Sequence, residues 1–182
     1  MTETLFPADV LAFWRDAGPT RWFGKDAAFD DAIRHRFLAT WEAARDGKLE
    51  HWQDSDDGAL ALVIVLDQFP RNMFRDDPRA FSTDALARAV AKRAIDAGRD
   101  ARVADDLRAF FYLPLMHSEA IDDQDACVAL YRRLGHADNL KFAEIHADII
   151  RRFGRFPHRN AVLGRATTPD EQAFLDGGGF AG

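Results

Sequence analysis

The segment Ala59-Leu-Ala-Leu-Val-Ile-Val-Leu66 is the most apolar stretch of the chain. Over so short a run, periodicity alone does not separate a buried helix from a buried strand. A helix is favoured because Ser55 and Asp56, just before the run, are good N-cap residues, and because no partner strand is evident in the sequence. Since the segment is apolar on all sides, it is predicted to be the central, fully buried helix of the fold.

Helical spacing of apolar residues continues on both sides of this run. Phe29, Ile33, Phe37 and Trp41 recur every four residues, which predicts a helix with one buried face. Towards the other end, Thr168-Pro-Asp-Glu171 has the pattern of a capping box and predicts the start of the last helix. The chain is therefore predicted to be a single all-α domain over residues 1–182, with roughly eight helices joined by short connections.

The composition is that of a globular protein with net negative charge. The chain has a formal net charge of −6 and a pI near 5.5, which argues against a general nucleic-acid binder because such proteins need a broad basic face. The single cysteine allows no intrachain disulfide, and the longest apolar run is too short to cross a membrane. With no signal-peptide pattern at the start, we expect a cytoplasmic protein without a membrane partner, either a monomer or a weak homodimer.

Three stretches combine an apolar helix, a proline and hydrogen-bonding side chains. They are Asp67-Gln-Phe-Pro-Arg-Asn-Met-Phe74, Tyr112-Leu-Pro-Leu-Met-His-Ser-Glu119 and Arg151-Arg-Phe-Gly-Arg-Phe-Pro-His-Arg-Asn-Ala-Val-Leu-Gly164. In each, an apolar helix is predicted to end near the proline, because proline lacks the N–H group that a helix interior needs. The third stretch is predicted to leave its helix with breaks at Gly154 and Pro157. Helix ends leave carbonyls that suit arginine and histidine donors, so we expect the three turns to meet around one site.

Several polar residues fall at positions where apolar ones are expected. Asp67 and Gln68 directly follow the apolar run, and a carboxylate buried there needs a partner. Arg71, or an arginine of the third stretch, is the natural one, although such a pair can equally be a structural link between helices. Gln124 and His146 lie on the apolar faces of their helices, where a bond to neighbouring backbone and a satisfied core histidine are the simpler interpretations.

The spacing of histidines, carboxylates and possible nucleophiles does not favour metal or covalent chemistry. His146 and Asp148 lie about 160° apart on one helical wheel, and the sequence has no His-Glu-x-x-His motif and no cysteine pair. Ser118 lacks the Gly-x-Ser-x-Gly elbow of serine hydrolases. Cys127 lies on or beside an apolar face, as an inert core thiol would. No metal and no cofactor are therefore expected.

The arginines around the third stretch are the clearest functional signal. Guanidinium groups bind carboxylates and phosphates through paired hydrogen bonds, and His158 and Asn160 add further donors. An anion pocket is therefore the simplest functional interpretation of this cluster, which consists of Arg151, Arg152, Arg155, Arg159 and Arg165.

The same motifs carry a family resemblance. Asp67-Gln-Phe-Pro-Arg-Asn, Arg79-Ala-Phe-Ser-Thr-Asp84, the Tyr112–Glu119 stretch, and His146 followed by Arg152-Phe-Gly-Arg-Phe-Pro-His-Arg-Asn resemble the bacterial "domain of unknown function 924" family. The resemblance extends from Val10-Leu-Ala-Phe-Trp to Phe174-Leu. It implies an all-α fold of antiparallel helix pairs, arranged as a superhelical array like that of tetratricopeptide-repeat proteins. It implies no activity.

The first functional hypothesis is a pocket between helices that binds a small anionic molecule and hydrolyses or rearranges it. His146 or His158 would be the acid/base group, because histidine titrates near neutral pH, and Glu119 or Asp67 would orient it. The candidate ligand-binding residues are Gln68, Arg71, His117, Gln124, Arg152, Arg159 and Asn160.

The second hypothesis is a helical-repeat interaction module. Such arrays bind peptides on a concave face, and the arginines would then hold an acidic peptide. A closed pocket of a few hundred Å3 would favour the first hypothesis, and an open groove the second.

Overall fold

The computed structural model describes residues 5–180, and every regular element in that range is helical. The prediction of an all-α fold is confirmed. Short 3-10 segments and one π turn, Ile64–Gln68, connect some of the α-helices. None of the helices described is long and apolar enough to cross a membrane. The α-helices are α1 (Pro7–Trp22), α2 (Ala27–Arg45), α3 (Asp56–Val63), α4 (Phe69–Met73), α5 (Asp84–Asp96), α6 (Asp105–Arg108), α7 (Leu113–Met116), α8 (Ile121–Leu134), α9 (Ala137–Phe153) and α10 (Pro169–Asp176).

The chain divides into two compact units. The first comprises Met1–Arg75 and Arg79–Pro114, and the second comprises Asp76–Pro78 and Leu115–Gly182. The prediction of a single domain over residues 1–182 stays a prediction.

Helix α3 is the centre of the first unit. Every residue of Ala59–Leu66 is at most 3% exposed, which confirms the prediction of a central buried helix. The hydroxyl of Ser55 caps the helix by accepting from the amide of Gly58 at 3.1 Å. Helices α1 and α5 both contact α3. Since the buried face of α5 is alanine-rich, the two backbones can approach closely.

Beyond α3, the chain continues as a π turn and then as α4. Within the turn, the amide of Phe69 donates to the carbonyl of Ile64, five residues earlier. The carbonyl of Leu66, which would pair with the amide of residue 70 in a regular α-helix, accepts instead from the hydroxyl of Thr83 at 2.6 Å. The Thr83 hydroxyl thereby replaces the N–H donor that Pro70 lacks, and the helical path continues to Met73.

The three prolines of the predicted turns lie at the start of short helical segments. Pro70 is the second residue of α4, Pro114 is the second residue of α7, and Pro157 is the first residue of the 3-10 segment Pro157–Arg159. The prediction that an apolar helix ends near the proline is therefore wrong for Pro70 and Pro114, whereas the third stretch leaves its helix at Gly154, as predicted. At Pro114 and Pro157, proline is tolerated because an amide N–H in the first turn of a helical segment has no intrahelical acceptor. At Pro70 the Thr83 hydroxyl supplies the missing donor. Helix α9 ends before Pro157, at Gly154, which has a left-handed φ of 69°.

The second unit is organised around the hairpin of α8 and α9, which pack against each other. Gly135 ends α8 in a left-handed conformation, with φ 79°. The predicted capping box of α10 is also present. The amide of Glu171 donates to the hydroxyl of Thr168 at 3.3 Å, and the Glu171 carboxylate accepts from the Thr168 amide at 2.8 Å.

Candidate functional site

The predicted site residues are divided between the two units. Asp67, Gln68 and Arg71 belong to the first unit. Their convergence with the remaining candidates on one cavity stays a prediction. The candidates in the second unit are His117, Glu119, Gln124, His146, Arg152, His158, Arg159 and Asn160.

In the first unit, Arg71 forms an ion pair with the buried Asp67. Asp67 is fully buried, and Arg71 Nη1 lies 3.3 Å from its Oδ1 and donates to its backbone oxygen at 2.6 Å. Gln68 Nε2 donates to Asp67 Oδ2 at 2.5 Å, and both terminal nitrogens of Arg71 reach Asp84, at 2.8 and 3.0 Å. Burial lowers the pKa of Arg71, but the two carboxylates outweigh it and hold that pKa above its usual value. These contacts join the π turn to α5, as the structural interpretation of the pair expects.

His146 lies on α9 and is 6% exposed, as its place on the apolar face predicts. Its Nδ1 is 2.8 Å from the carbonyl oxygen of Phe142. Because a carbonyl only accepts, Nδ1 carries the proton and Nε2 presents the lone pair of the neutral ring. The imidazole also contacts the rings of Phe156 and Phe180, with centroids 5.5 and 4.5 Å away.

His158 lies in the 3-10 segment after α9, against the same two aromatic rings. Its centroid is 5.6 Å from that of Phe156 and 5.4 Å from that of Phe180. Its Nδ1 is buried and has no hydrogen-bond partner within residues 5–180. A buried polar atom without a partner is uncommon in folded proteins, so this nitrogen is the most unusual polar atom of the cluster.

Burial sets the protonation state of both histidines. It lowers the pKa of His146 to about 4, with smaller contributions from the nearby His117 and Arg159, although the bond to Phe142 acts in the opposite direction. It lowers the pKa of His158 to about 3, helped by Arg159, His146 and His117 and opposed by Glu119. Both rings are therefore neutral at pH 7. The expectation that either titrates near neutral pH in this conformation is wrong, because desolvation outweighs the Phe142 bond at His146 and the Glu119 carboxylate at His158.

Glu119 holds the backbone before Pro157 in place. Its carboxylate accepts from the amide of Phe156 at 2.8 Å and from both terminal nitrogens of Arg165 at 2.8 and 3.0 Å. Burial raises the pKa of Glu119, but the bonds from Arg165 and Phe156 outweigh it and keep that pKa below its usual value. Among the described residues, no hydrogen bond joins Glu119 to an imidazole, so its contacts are those of an anchor for this turn.

Arg159 is 7% exposed, and its guanidinium lies over the ring of Phe156, 4.5 Å from the centroid. Asn160, next in the chain, is fully buried, donating to Glu171 at 3.1 Å and accepting from Arg165 at 2.9 Å. The structure therefore brings Arg159 to the histidines, while the side chain of Asn160 is held by the contacts that fix α10.

Gln124 and Arg152 have different surroundings. Gln124 is fully buried and donates to the carbonyls of Met116 and Ser118 at 2.7 and 2.6 Å, the backbone bonding that the simpler interpretation expects. Its Oε1 is buried without a partner in the described part of the chain. The guanidinium of Arg152 is half-exposed, 3.5 Å from Asp148, and lies on the surface of α9.

Two further features bear on chemistry in this structure. Burial raises the pKa of the Cys127 thiol to about 12, which makes it a poor nucleophile at neutral pH. No group of three or more His, Cys, Asp and Glu side chains within residues 5–180 is arranged to hold a metal ion.

Phe180 is the residue of this cluster that the sequence did not indicate. It follows Gly177-Gly-Gly179, which on sequence alone predicts only the end of α10. In the structure, the amides of these three glycines donate to carbonyls of α10 and turn the chain back, and Phe180 then reaches both histidines. Phe180 lies far along the chain from both histidines, so no local sequence pattern pairs it with them.

Comparisons with known proteins give one family and one close structure. Residues 10–179 match a family described as "Bacterial protein of unknown function (DUF924)". A solved structure of a protein of unknown function from Agrobacterium tumefaciens is 47% identical, with a TM-score of 0.91, and the match covers 94% of this chain and 97% of that one. A search of curated proteins found no match.

Proposed function

The chain belongs to the DUF924 family of bacterial proteins of unknown function, and we propose that it binds a small anionic molecule at the histidine cluster of its second unit. This cluster consists of His117, His146, Phe156, His158, Arg159 and Phe180. The ligand is a carboxylate or a phosphate.

The observation that carries the proposal is the buried Nδ1 of His158, which has no hydrogen-bond partner within residues 5–180 and lies in the positive field of Arg159. A neutral imidazole with its proton on Nδ1 can donate to an anion without bringing a charge of its own. The field that disfavours a protonated histidine favours a negative ligand at the same place.

In a hydrolytic reaction at this site, His146 would act as the general base. Its Nδ1–H is used by Phe142, so Nε2 is the nitrogen that can accept a proton. A pKa near 4 makes this nitrogen a weak base. A bound anion would raise that pKa because it stabilises the imidazolium, and binding would therefore activate the base.

The experiment is titration of the full chain with inorganic phosphate and with acetate, followed by calorimetry and by NMR of the imidazole nitrogens. We expect saturable binding of one of the two anions, with the largest shifts at His158 and His146. Arg159→Gln should weaken binding at least about tenfold, since hydrogen bonds to charged groups are worth more than neutral ones. Arg152→Gln, a half-exposed arginine of α9, is the matched control and should bind as the wild type does.

Absence of binding to both anions, or equal binding by the Arg159 and Arg152 variants, would refute the proposal. A thermal melt of each variant shows whether Arg159→Gln is folded. His158→Gln is the second variant, since it removes the imidazole and leaves Arg159 in place.

The alternative is a helical-repeat module for acidic peptides. It is favoured by the α8–α9 hairpin, because helix hairpins are the building units of tetratricopeptide-like arrays. Competition separates the two functions. An acidic peptide that binds without displacing phosphate, and that is insensitive to Arg159→Gln, would favour the module.

A further inference from the structure

The first helix contains a kink that creates a groove. Gly18 has φ 71° and ψ 172°, a combination that is open essentially to glycine alone, and Pro19 begins the second arm of α1. Arg21 on that arm lies 3.9 Å from Asp26, and its guanidinium is 6.0 Å from the ring centroid of Phe29. The kink therefore leaves a groove between the two arms of α1 and the first turns of α2.

The groove is half-open to solvent and has two aromatic rings in its floor. Its volume is about 310 Å3, at the lower end of the range for ligand pockets. The rings of Phe13 and Phe29 are stacked, with centroids 5.5 Å apart and planes 6° from parallel. Phe13 is partly exposed on this floor, whereas Phe29 is 5% exposed and supports Phe13 from beneath. The rest of the apolar lining is small side chains, namely Ala12, Ala17, Ala28 and Ala32.

Of the residues that the structure describes, two arginines and two aspartates line the groove, and only one arginine and one aspartate of these are paired with each other. Arg21 faces Asp26, whereas Arg36 and Asp16 make no hydrogen bond or ion pair with any residue in the described range 5–180. The guanidinium of Arg36 is held over the rings of Phe13 and Phe37, 5.4 and 5.3 Å from their centroids. The lining thus offers one available cation on α2 and one available anion on α1.

We propose that this groove binds a small zwitterion with an apolar body, of the size of an amino acid. Its carboxylate pairs with Arg36, its ammonium pairs with Asp16, and its apolar side chain lies on Phe13 and the alanines beside it. A simple anion would leave Asp16 unpaired and repelled, and a simple cation would do the same to Arg36. A ligand with both charges satisfies both ends, and the proposal is independent of anion binding in the second unit.

The test compares three probes that share one ring: L-phenylalanine, phenylacetate and phenethylamine. Each is titrated into the full chain and followed by amide shifts and calorimetry. We expect L-phenylalanine to bind at least about tenfold more tightly than either single-charge probe, with its shifts in residues 12–36. Arg36→Gln and Asp16→Asn should each lower its affinity about tenfold, while Arg132→Gln, an exposed arginine of the other unit, should not.

Both groove variants change exposed side chains, and a melt of each confirms that it folds. Equal affinity for the three probes, shifts elsewhere in the chain, or undiminished binding by Arg36→Gln would each overturn the proposal, as would no binding of L-phenylalanine at millimolar concentration.

Discussion

The hydroxyl of Thr83 donates to the backbone carbonyl of Leu66 at 2.6 Å, at the point where Pro70 deprives an α-helix of an amide. Thr83 also accepts from the indole of Trp41 at 3.2 Å and is itself fully buried. The Thr83 hydroxyl therefore makes two hydrogen bonds: it donates to the backbone of the central helical run and accepts from a side chain of α2. The helical path of the most apolar segment continues past Pro70, with this hydroxyl in the place of the donor that proline lacks.

Thr83→Val should destabilise the protein by roughly 1–3 kcal/mol, the usual cost of leaving buried polar groups unpaired. Valine has nearly the same shape, so packing changes little. Thr83→Ser keeps the hydroxyl and serves as the control. Urea unfolding of the two variants is the measurement, and equal stability would show that the hydroxyl contributes nothing at this position.

Leu62→Ala should cost roughly 2–5 kcal/mol, because it opens a cavity in the centre of the first unit. Leu62 is 3% exposed, whereas Leu86 on α5 is 42% exposed. Leu86→Ala is therefore the matched control, with an expected change within about 0.5 kcal/mol. Similar unfolding midpoints for the two variants would contradict the central place of α3.

The elements that the sequence predicted well are those that local chemistry determines. The Ala59–Leu66 run has to be buried because it has no polar face, and the Thr168 capping box uses two residues within one turn. The path through Pro70 was predicted wrongly because it depends on Thr83, a donor that is distant in sequence from Leu66. No pattern around the proline itself reveals that donor.

In the candidate site, too, the features that local sequence determines were predicted well, and those that depend on distant residues were not. The helical wheel of α9 predicts that His146 is buried, since it depends on that helix alone. The pKa of His146 depends on desolvation by rings from other segments, including Phe180 beyond the last helix. The ordinary pKa of histidine, which is near neutral, therefore predicted the wrong protonation state for His146.

Stability should fall as the pH is lowered from 7 to 5. The pKa of histidine in an unfolded chain is about 6.5, whereas burial holds the pKa of His146 at about 4 and that of His158 at about 3 in the folded protein. Between about pH 6.5 and these folded-state pKa values, the unfolded chain binds more protons than the folded protein does. The contribution of the two neutral imidazoles to the free energy of unfolding is therefore complete above about pH 6.5, and it is lost as the pH falls towards the folded-state pKa values.

We expect each imidazole to account for roughly 1–2 kcal/mol of the loss in unfolding free energy between pH 7 and pH 5. Urea unfolding at several pH values measures it, and His146→Gln and His158→Gln should each flatten the dependence. An unchanged slope in both variants would assign the pH dependence to other groups.

Phe180→Ala should raise the pKa of both His146 and His158 towards 6.5. The largest cause of the low pKa values is burial, and the Phe180 ring contacts both imidazoles directly. Removing it lets water reach the cluster and lowers the cost of charging either ring. NMR titration of the imidazoles measures the shift, and Phe6→Ala, which removes a phenyl ring that is 72% exposed, is the control. If the two pKa values stay below about 4.5 in Phe180→Ala, the rings of α9 and the Pro157 turn bury the histidines without it, and Phe180 is not part of the site.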